Sequence, residues 1–302
     1  MAAIPAPRVQ HSAFDPLDTL RRLWLMASVT FREAVRKRMV WAVVILSGLY
    51  LAGYGWGVLR FRETWENTAS RAAQAGRFLR YEQQIDLLVA FGMFVVFFLA
   101  SVMGIFASIG TVAGEVDAGT FQAVLPKPIR RWEIVIGKFL GFALMLALYV
   151  GLMTAAIGIT VRLVTGYLPA TLPQGAAIIV LSAWWLLALT VLGSTIFATM
   201  ANGIVVYMLY AFSLAFTILE TIGQTLSIEP MQSAGLVGSI ILPSQRIYNY
   251  ANYLLQPSTN LAFGGGGGLG ATPPSAAIVP FAAGYLVVLL VGACLVFRRK
   301  DL

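Results

Sequence analysis

The stretch GEVDAGTFQAVLPKPIRRWEIVIGKFLG, Gly114 to Gly141, is a polar island between two of the longest apolar runs of the chain. It carries three acids (Glu115, Asp117, Glu133), four bases (Lys127, Arg130, Arg131, Lys138) and two prolines, in a protein whose charged residues make up 11% of the total. Charges this dense cannot lie in hydrocarbon, where each is expensive to bury. The runs on either side are each long enough to cross a bilayer core, which takes about 20 residues of helix. The island therefore forces the chain out of the membrane between two crossings, and its basic excess puts it on the cytoplasmic side.

Composition extends that constraint to the whole chain. Of 302 residues, 59% are hydrophobic, more than one soluble core of this size can hide, so the chain reads as an integral membrane protein. The net charge of +8 does not mark a nucleic-acid binder, because the bases sit at the ends of apolar runs instead of forming a stripe on a polar domain. Residues 1–16 lack an apolar stretch and contain Pro5, Pro7 and Pro16, so they read as a disordered tail and not as a cleavable signal peptide. The only histidine, His11, falls in this tail, which excludes a histidine-built metal site; the only cysteine, Cys294, falls in the last apolar run, which excludes a disulfide within the chain.

Taken in order, Asp15-Pro16 reads as a helix cap followed by proline at the first helical position. Leu20, Trp24, Ala27, Phe31 and Ala34 then recur at steps of three and four, with Asp18, Arg22, Arg32 and Arg36 opposite, the pattern of an amphipathic helix lying on the inner membrane surface near anionic headgroups. Residues 39–59, 85–112, 134–164, 176–200, 204–226 and 276–297 read as six spans. Residues 60–84 read as an outer loop containing helix, and Pro169 and Pro173 mark a short outer turn. Ala201-Asn202-Gly203 reads as a tight turn between the fourth and fifth spans. Residues 227–275 are the largest outer segment: short helices dipping into the outer interface, amides and tyrosines (Asn249, Asn252, Tyr248, Tyr250, Tyr253), then the glycine run 264–268 as a flexible linker. Two-thirds of the lysines and arginines fall on one side of this layout, which puts both termini in the cytoplasm and the chain in the inner membrane.

Catalytic constellations are absent from the sequence. Gly137-Lys138 is followed by Phe139, so there is no phosphate-binding Gly-Lys-Ser/Thr loop, and no His-Glu-x-x-His or nucleophile elbow occurs. Glu220 is an acid within the fifth span, a candidate pathway residue or a carboxylate snorkelling to the interface. Gly53-x-x-x-Gly57 and Gly137-x-x-x-Gly141 permit close helix contact.

The order of residues in the island carries a resemblance. Glu115 with Gly119-Thr120, then Leu125-Pro126-x-Pro128, then Arg130, Arg131-Trp132-Glu133-Ile134 and Gly137-Lys138-Phe139 resemble the cytoplasmic loop of ABC-2-type ABC transporter permeases, and the closing Phe297-Arg298-Arg299-Lys300-Asp301-Leu302 resembles the six-span group that includes the nitrous-oxide-reductase maturation permease. The resemblance implies an all-α integral membrane protein over 17–302, with an N-terminal amphipathic interfacial helix and a cytoplasmic coupling helix within loop 113–133. It implies that Glu115, Gly119, Thr120, Leu125, Pro126, Lys127, Pro128, Arg130, Arg131, Trp132 and Glu133 dock a separate cytosolic ABC ATPase subunit. The partners implied are that ATPase, a second permease copy or paralogue, and the lipid bilayer; ATP-Mg belongs to the ATPase, and this chain binds no cofactor. The expected function is permeation coupled to ATP hydrolysis, in the export direction; the alternative is a non-transporting anchor that couples an ATPase to an envelope machine.

Overall fold

The computed structural model describes residues 16–75, 81–111, 114, 131–256 and 274–299. Among these residues there is no strand, and nine helices follow in order: α1 Pro16–Arg36, α2 Arg38–Ala75, α3 Tyr81–Ser108, α4 Arg131–Thr165, α5 Leu172–Ile196, α6 Thr199–Leu226, α7 Glu229–Ile241, α8 Ser244–Leu255 and α9 Ile278–Arg299. Six of them, α2 to α6 and α9, are long and apolar enough to cross a membrane, so the expected all-α, six-span class is the class found. The N-terminal tail, most of loop 113–133 and the glycine run 264–268 lie outside the described residues.

Helices α3, α4 and α5 form the centre of the bundle. Phe97, Phe142, Leu146, Ile157, Ile179 and Leu186 are fully enclosed there. The outer faces are the reverse: Leu152, Leu163 and Met200 stand 70, 78 and 82% exposed, among many other bare large apolar side chains. In water such a surface is an aggregation liability; against lipid it is the ordinary exterior.

Helix α2 is longer than a span requires. Its 38 residues measure about 57 Å, so the helix expected within 60–84 is an extension of the first span beyond the bilayer. Arg62 donates to the Val164 carbonyl at 2.8 Å where the extension leaves the bundle, and Arg60 pairs with Glu63 at 2.8 Å within α2 itself. At the same end of the bundle α4 stops at Gly166, whose φ of +75° is the left-handed value that closes a helix, and Pro173 starts α5 at its first turn.

The chain reverses between α5 and α6 at Phe197-Ala198, which corrects the expected turn at Ala201-Asn202-Gly203. Those three residues lie inside α6. Asn-Gly is a turn signal when solvent satisfies the amide, but Asn202 is fully buried and its side chain bonds across the helix packing instead. Gly203 lets Ile109 approach so closely that a methyl group in its place would collide with it.

Helices α7 and α8 fold back into the bundle as a re-entrant hairpin. α7 lies directly on α6: a Cβ added at Gly235 would stand 2.5 Å from the Glu220 backbone nitrogen, and one at Gly238 would enter the Phe216 ring. About 20 Å of helix brings the hairpin tip, Leu242-Pro243-Ser244, level with Ser213 in the middle of α6, deeper than the interfacial dip that the sequence suggests. Non-helical backbone at that depth must be satisfied by protein. Ser213 Oγ donates to Leu242 O at 2.6 Å, Ser182 Oγ donates to Ser244 O at 2.8 Å, and the Gln245 amide donates to Ser213 Oγ at 3.2 Å. The amides of α8, Gln245, Asn249 and Asn252, are buried with Gln256, which caps its end, and Tyr248 stacks on Phe97 at 4.4 Å.

Candidate coupling site at the root of the charged loop

The charged island begins where α3 ends, and that end is held by side chains from three other parts of the chain. A helix leaves its last carbonyls without intrahelical partners and carries partial negative charge there. Lys37, between α1 and α2, donates from Nζ to Ala107 O at 2.8 Å; Lys138 of α4 donates to Thr111 O at 2.6 Å; Asn202 of α6 donates from Nδ2 to Ile109 O at 2.9 Å and to Thr190 O at 3.1 Å. Thr111 Oγ1 and the Thr111 amide turn back to Ser108 O. Two cations and an amide thus take the Ala107, Ile109 and Thr111 carbonyls at and just past the negative end of α3, the arrangement its dipole favours.

The burial of these groups gives the contacts weight. Lys138 is 7% exposed and Asn202 is fully buried. A hydrogen bond to a charged donor contributes about 1.5–3 kcal/mol in protein, and orphaning a buried acceptor costs a comparable amount. Lys37 is the more accessible: it also pairs with Glu33 at 3.4 Å and lies 5.2 Å over the Phe142 ring.

On the far side of the island, α4 opens with Arg131, Trp132 and Glu133. Arg131 Nη1 approaches Arg298 O at 3.5 Å and so ties the start of α4 to the end of α9. Trp132 is 36% exposed, while Glu133 is buried in the first turn, at the positive end of the helix dipole. One and two turns further on, Gly137 and Gly141 receive α1. A Cβ at Gly137 would stand 2.6 Å from Met26 Cβ, and one at Gly141 2.6 Å from Ala27 O. The glycine pair thus marks a real helix crossing, whereas Gly53 and Gly57 have nothing within 4 Å. Ala27, Thr30 and Ala34 of α1 are buried in this contact, while Leu20 and Trp24, of the same expected stripe, are exposed with Leu25 and Val29. The end of α3, the start of α4 and α1 therefore form one packed unit around the two ends of the island.

The sequence profile of the ABC-2 family transporter proteins matches residues 24–302, nearly the whole chain. The chain belongs to this family. A further comparison finds 27% identity over 139 residues with a protein of Pseudomonas aeruginosa described as the probable ABC transporter permease protein NosY. The alignment spans 45% of each protein, so the chain matches a little under half the length of that relative.

In this ABC-2 protein the residues expected to dock an ATPase divide in two. Arg131, Trp132 and Glu133 stand in the first turn of α4, beside the clamp on α3. Glu115, Gly119, Thr120, Leu125, Pro126, Lys127, Pro128 and Arg130 lie outside the described residues. Glu220 is remote from this unit, in the half of α6 that meets α7 and α8, where it bonds with Ser239 and Arg246.

Two contributors are not visible in the sequence as such. Lys37 hides in Arg36-Lys37-Arg38, whose bases look alike as topogenic charge, and Asn202 hides in a turn-like tripeptide. Away from this site, at the opposite end of α3, Asp86 meets Tyr167 beyond the end of α4; burial, and then the Asp86 and Glu82 carboxylates, push the Tyr167 phenol above its ordinary range.

Proposed function

We propose that this ABC-2 family member is the membrane-embedded permease subunit of an ABC transporter, working with a separate cytosolic ATPase that grips loop 113–133. One observation carries the reading: Lys37, Lys138 and Asn202 bind the end of α3 to three other elements where the charged loop departs. A displacement of the loop is thereby shared by α1, α3, α4 and α6 instead of being absorbed by fraying of one helix end. ATP-Mg stays on the ATPase, whose closure pulls the loop and tilts the spans; export is the direction proposed. The working unit pairs two permease chains in the inner membrane, with both termini and the loop in the cytoplasm.

The test is purification of the tagged full chain from its native membranes, with ATP hydrolysis measured in the eluate. An ATP-hydrolysing subunit is expected to accompany the wild-type chain. Glu115→Lys, which keeps the inner side basic, is expected to weaken its retention or its stimulated hydrolysis, and the same reversal at Glu66 to change neither. Absence of any accompanying ATPase would refute the reading.

A further inference from the structure

A groove of about 460 Å³ runs along the side of the bundle between α4 and the start of α5, within the range of small-molecule sites at about 300–1,000 Å³. It is lined by Gly151, Thr154, Ala155, Gly158, Arg162 and Leu172, with further apolar side chains from the turn and α5. Its position is specific. From Gly151 to Arg162 the helix rises about 16 Å, half of a hydrocarbon core of roughly 30 Å, so the groove extends through one leaflet, the one farther from the charged loop. Leu152, Ile159 and Leu163, the exposed neighbours on α4, open it sideways to lipid. Small residues make it: Gly151 has nothing within 4 Å of where a Cβ would stand, and at Gly158 a Cβ would touch Leu172 at 3.0 Å.

Chemistry along the groove is graded. Apart from Thr154, whose hydroxyl turns to Met93 Sδ at 3.7 Å, the walls are apolar to the level of Arg162, in the last turn of α4, where this basic residue joins the lining. Among the described residues, nothing forms an ion pair or side-chain hydrogen bond with it. An apolar channel one leaflet deep with an exposed, unpaired cation at its mouth suits a lipid with its acyl chain along Gly151, Ala155 and Gly158 and an anionic headgroup on Arg162. We infer that this groove is a binding site for an anionic phospholipid of that leaflet, one per chain.

The full chain, reconstituted into vesicles of phosphatidylcholine alone or mixed equally with phosphatidylglycerol and then released into detergent, is examined by native mass spectrometry. The wild type is expected to retain one phosphatidylglycerol per chain and no phosphatidylcholine. Arg162→Gln is expected to lower that retention about tenfold, the loss of one charge-assisted contact. Ala155→Phe and Gly151→Phe, which fill the groove, are expected to abolish it, and Arg60→Gln on the α2 extension to leave it unchanged. Because the position of a Cβ at Gly151 is open, loss in that variant with an unaltered melting temperature reports occupancy and not misfolding. Retention unchanged in Arg162→Gln and both filled variants, or equal retention of both lipids, overturns the inference. So does an altered oligomeric state in the filled variants with lipid content unchanged, which would make the groove an interface between copies.

Discussion

Glu220 and Arg246 face each other across the re-entrant hairpin, Oε2 to Nη1 at 3.5 Å, with Ser239 between them. Arg246 Nη1 donates to Ser239 Oγ at 2.6 Å, and Ser239 Oγ donates to Glu220 Oε2 at 3.2 Å, so one side chain from each of α6, α7 and α8 joins the same cluster. Side-chain exposures of 16% for Glu220 and 29% for Arg246 mean that water screens the pair only in part. The sequence alone leaves Glu220 either a pathway acid or a snorkelling one; in the fold it is a partner of Arg246.

Glu220→Gln preserves shape and leaves Arg246 with no full counter-charge. A loss of about 1–2 kcal/mol is expected, read as a lower melting temperature of the purified protein, together with lower transport-coupled ATP hydrolysis at unchanged expression. The double variant Glu220→Gln, Arg246→Gln should recover part of the loss, because the uncompensated cation is gone. Strictly additive single losses would show that the two side chains do not act as a pair.

Asn202→Ala should destabilise the protein by about 1–2 kcal/mol, since the Ile109 carbonyl loses a donor in a buried setting. A solvated turn residue would be replaced at almost no cost. Lys138→Met, which keeps length and removes the charge, is expected to cost about 1.5–3 kcal/mol and to lower stimulated hydrolysis further than a core variant of similar stability loss such as Ile157→Ala. Equal hydrolysis in that matched pair would reduce the clamp on α3 to a structural fastening.

The two glycine pairs make opposite predictions. Gly141→Leu drives a side chain into α1, with an expected loss of about 1–3 kcal/mol and faster protease cleavage around α1. At Gly57 an added Cβ meets nothing within 4 Å, so Gly57→Leu should neither lower stability nor speed cleavage. A matching loss at Gly57 would indicate a contact with another chain at that face.

Orientation is testable with single cysteines after Cys294→Ala. Positions within 264–268 and beside Arg71 should react with an impermeant maleimide on intact cells, and positions beside Lys127 or Lys300 only after permeabilisation. External labelling beside Lys127 would invert the topology and with it the proposed docking face.

Much of this protein is determined by patterns that lie along one dimension. Run length against bilayer thickness makes α2 to α6 and α9 legible, and the demand that every backbone group in lipid be satisfied internally leaves helices as the form those runs take. The order of residues in the island is equally local, and Arg131, Trp132 and Glu133 of it open α4. What the tertiary structure decided is which partner each polar or small residue meets. Lys37 is one base among three in sequence and the donor to Ala107 in space; Asn202 has the local chemistry of a turn and the environment of a helix contact; Gly137 and Gly53 open the same Gly-x-x-x-Gly motif and only one meets a neighbour. The depth of the α7–α8 hairpin was hidden for the same reason, since Ser213 and Ser182, which satisfy its tip, stand tens of residues away along the chain. In a bilayer the hydrophobic effect drives helices into lipid but does not choose their neighbours; close packing at small residues and the satisfaction of buried polar groups make that choice, and both depend on residues distant in sequence.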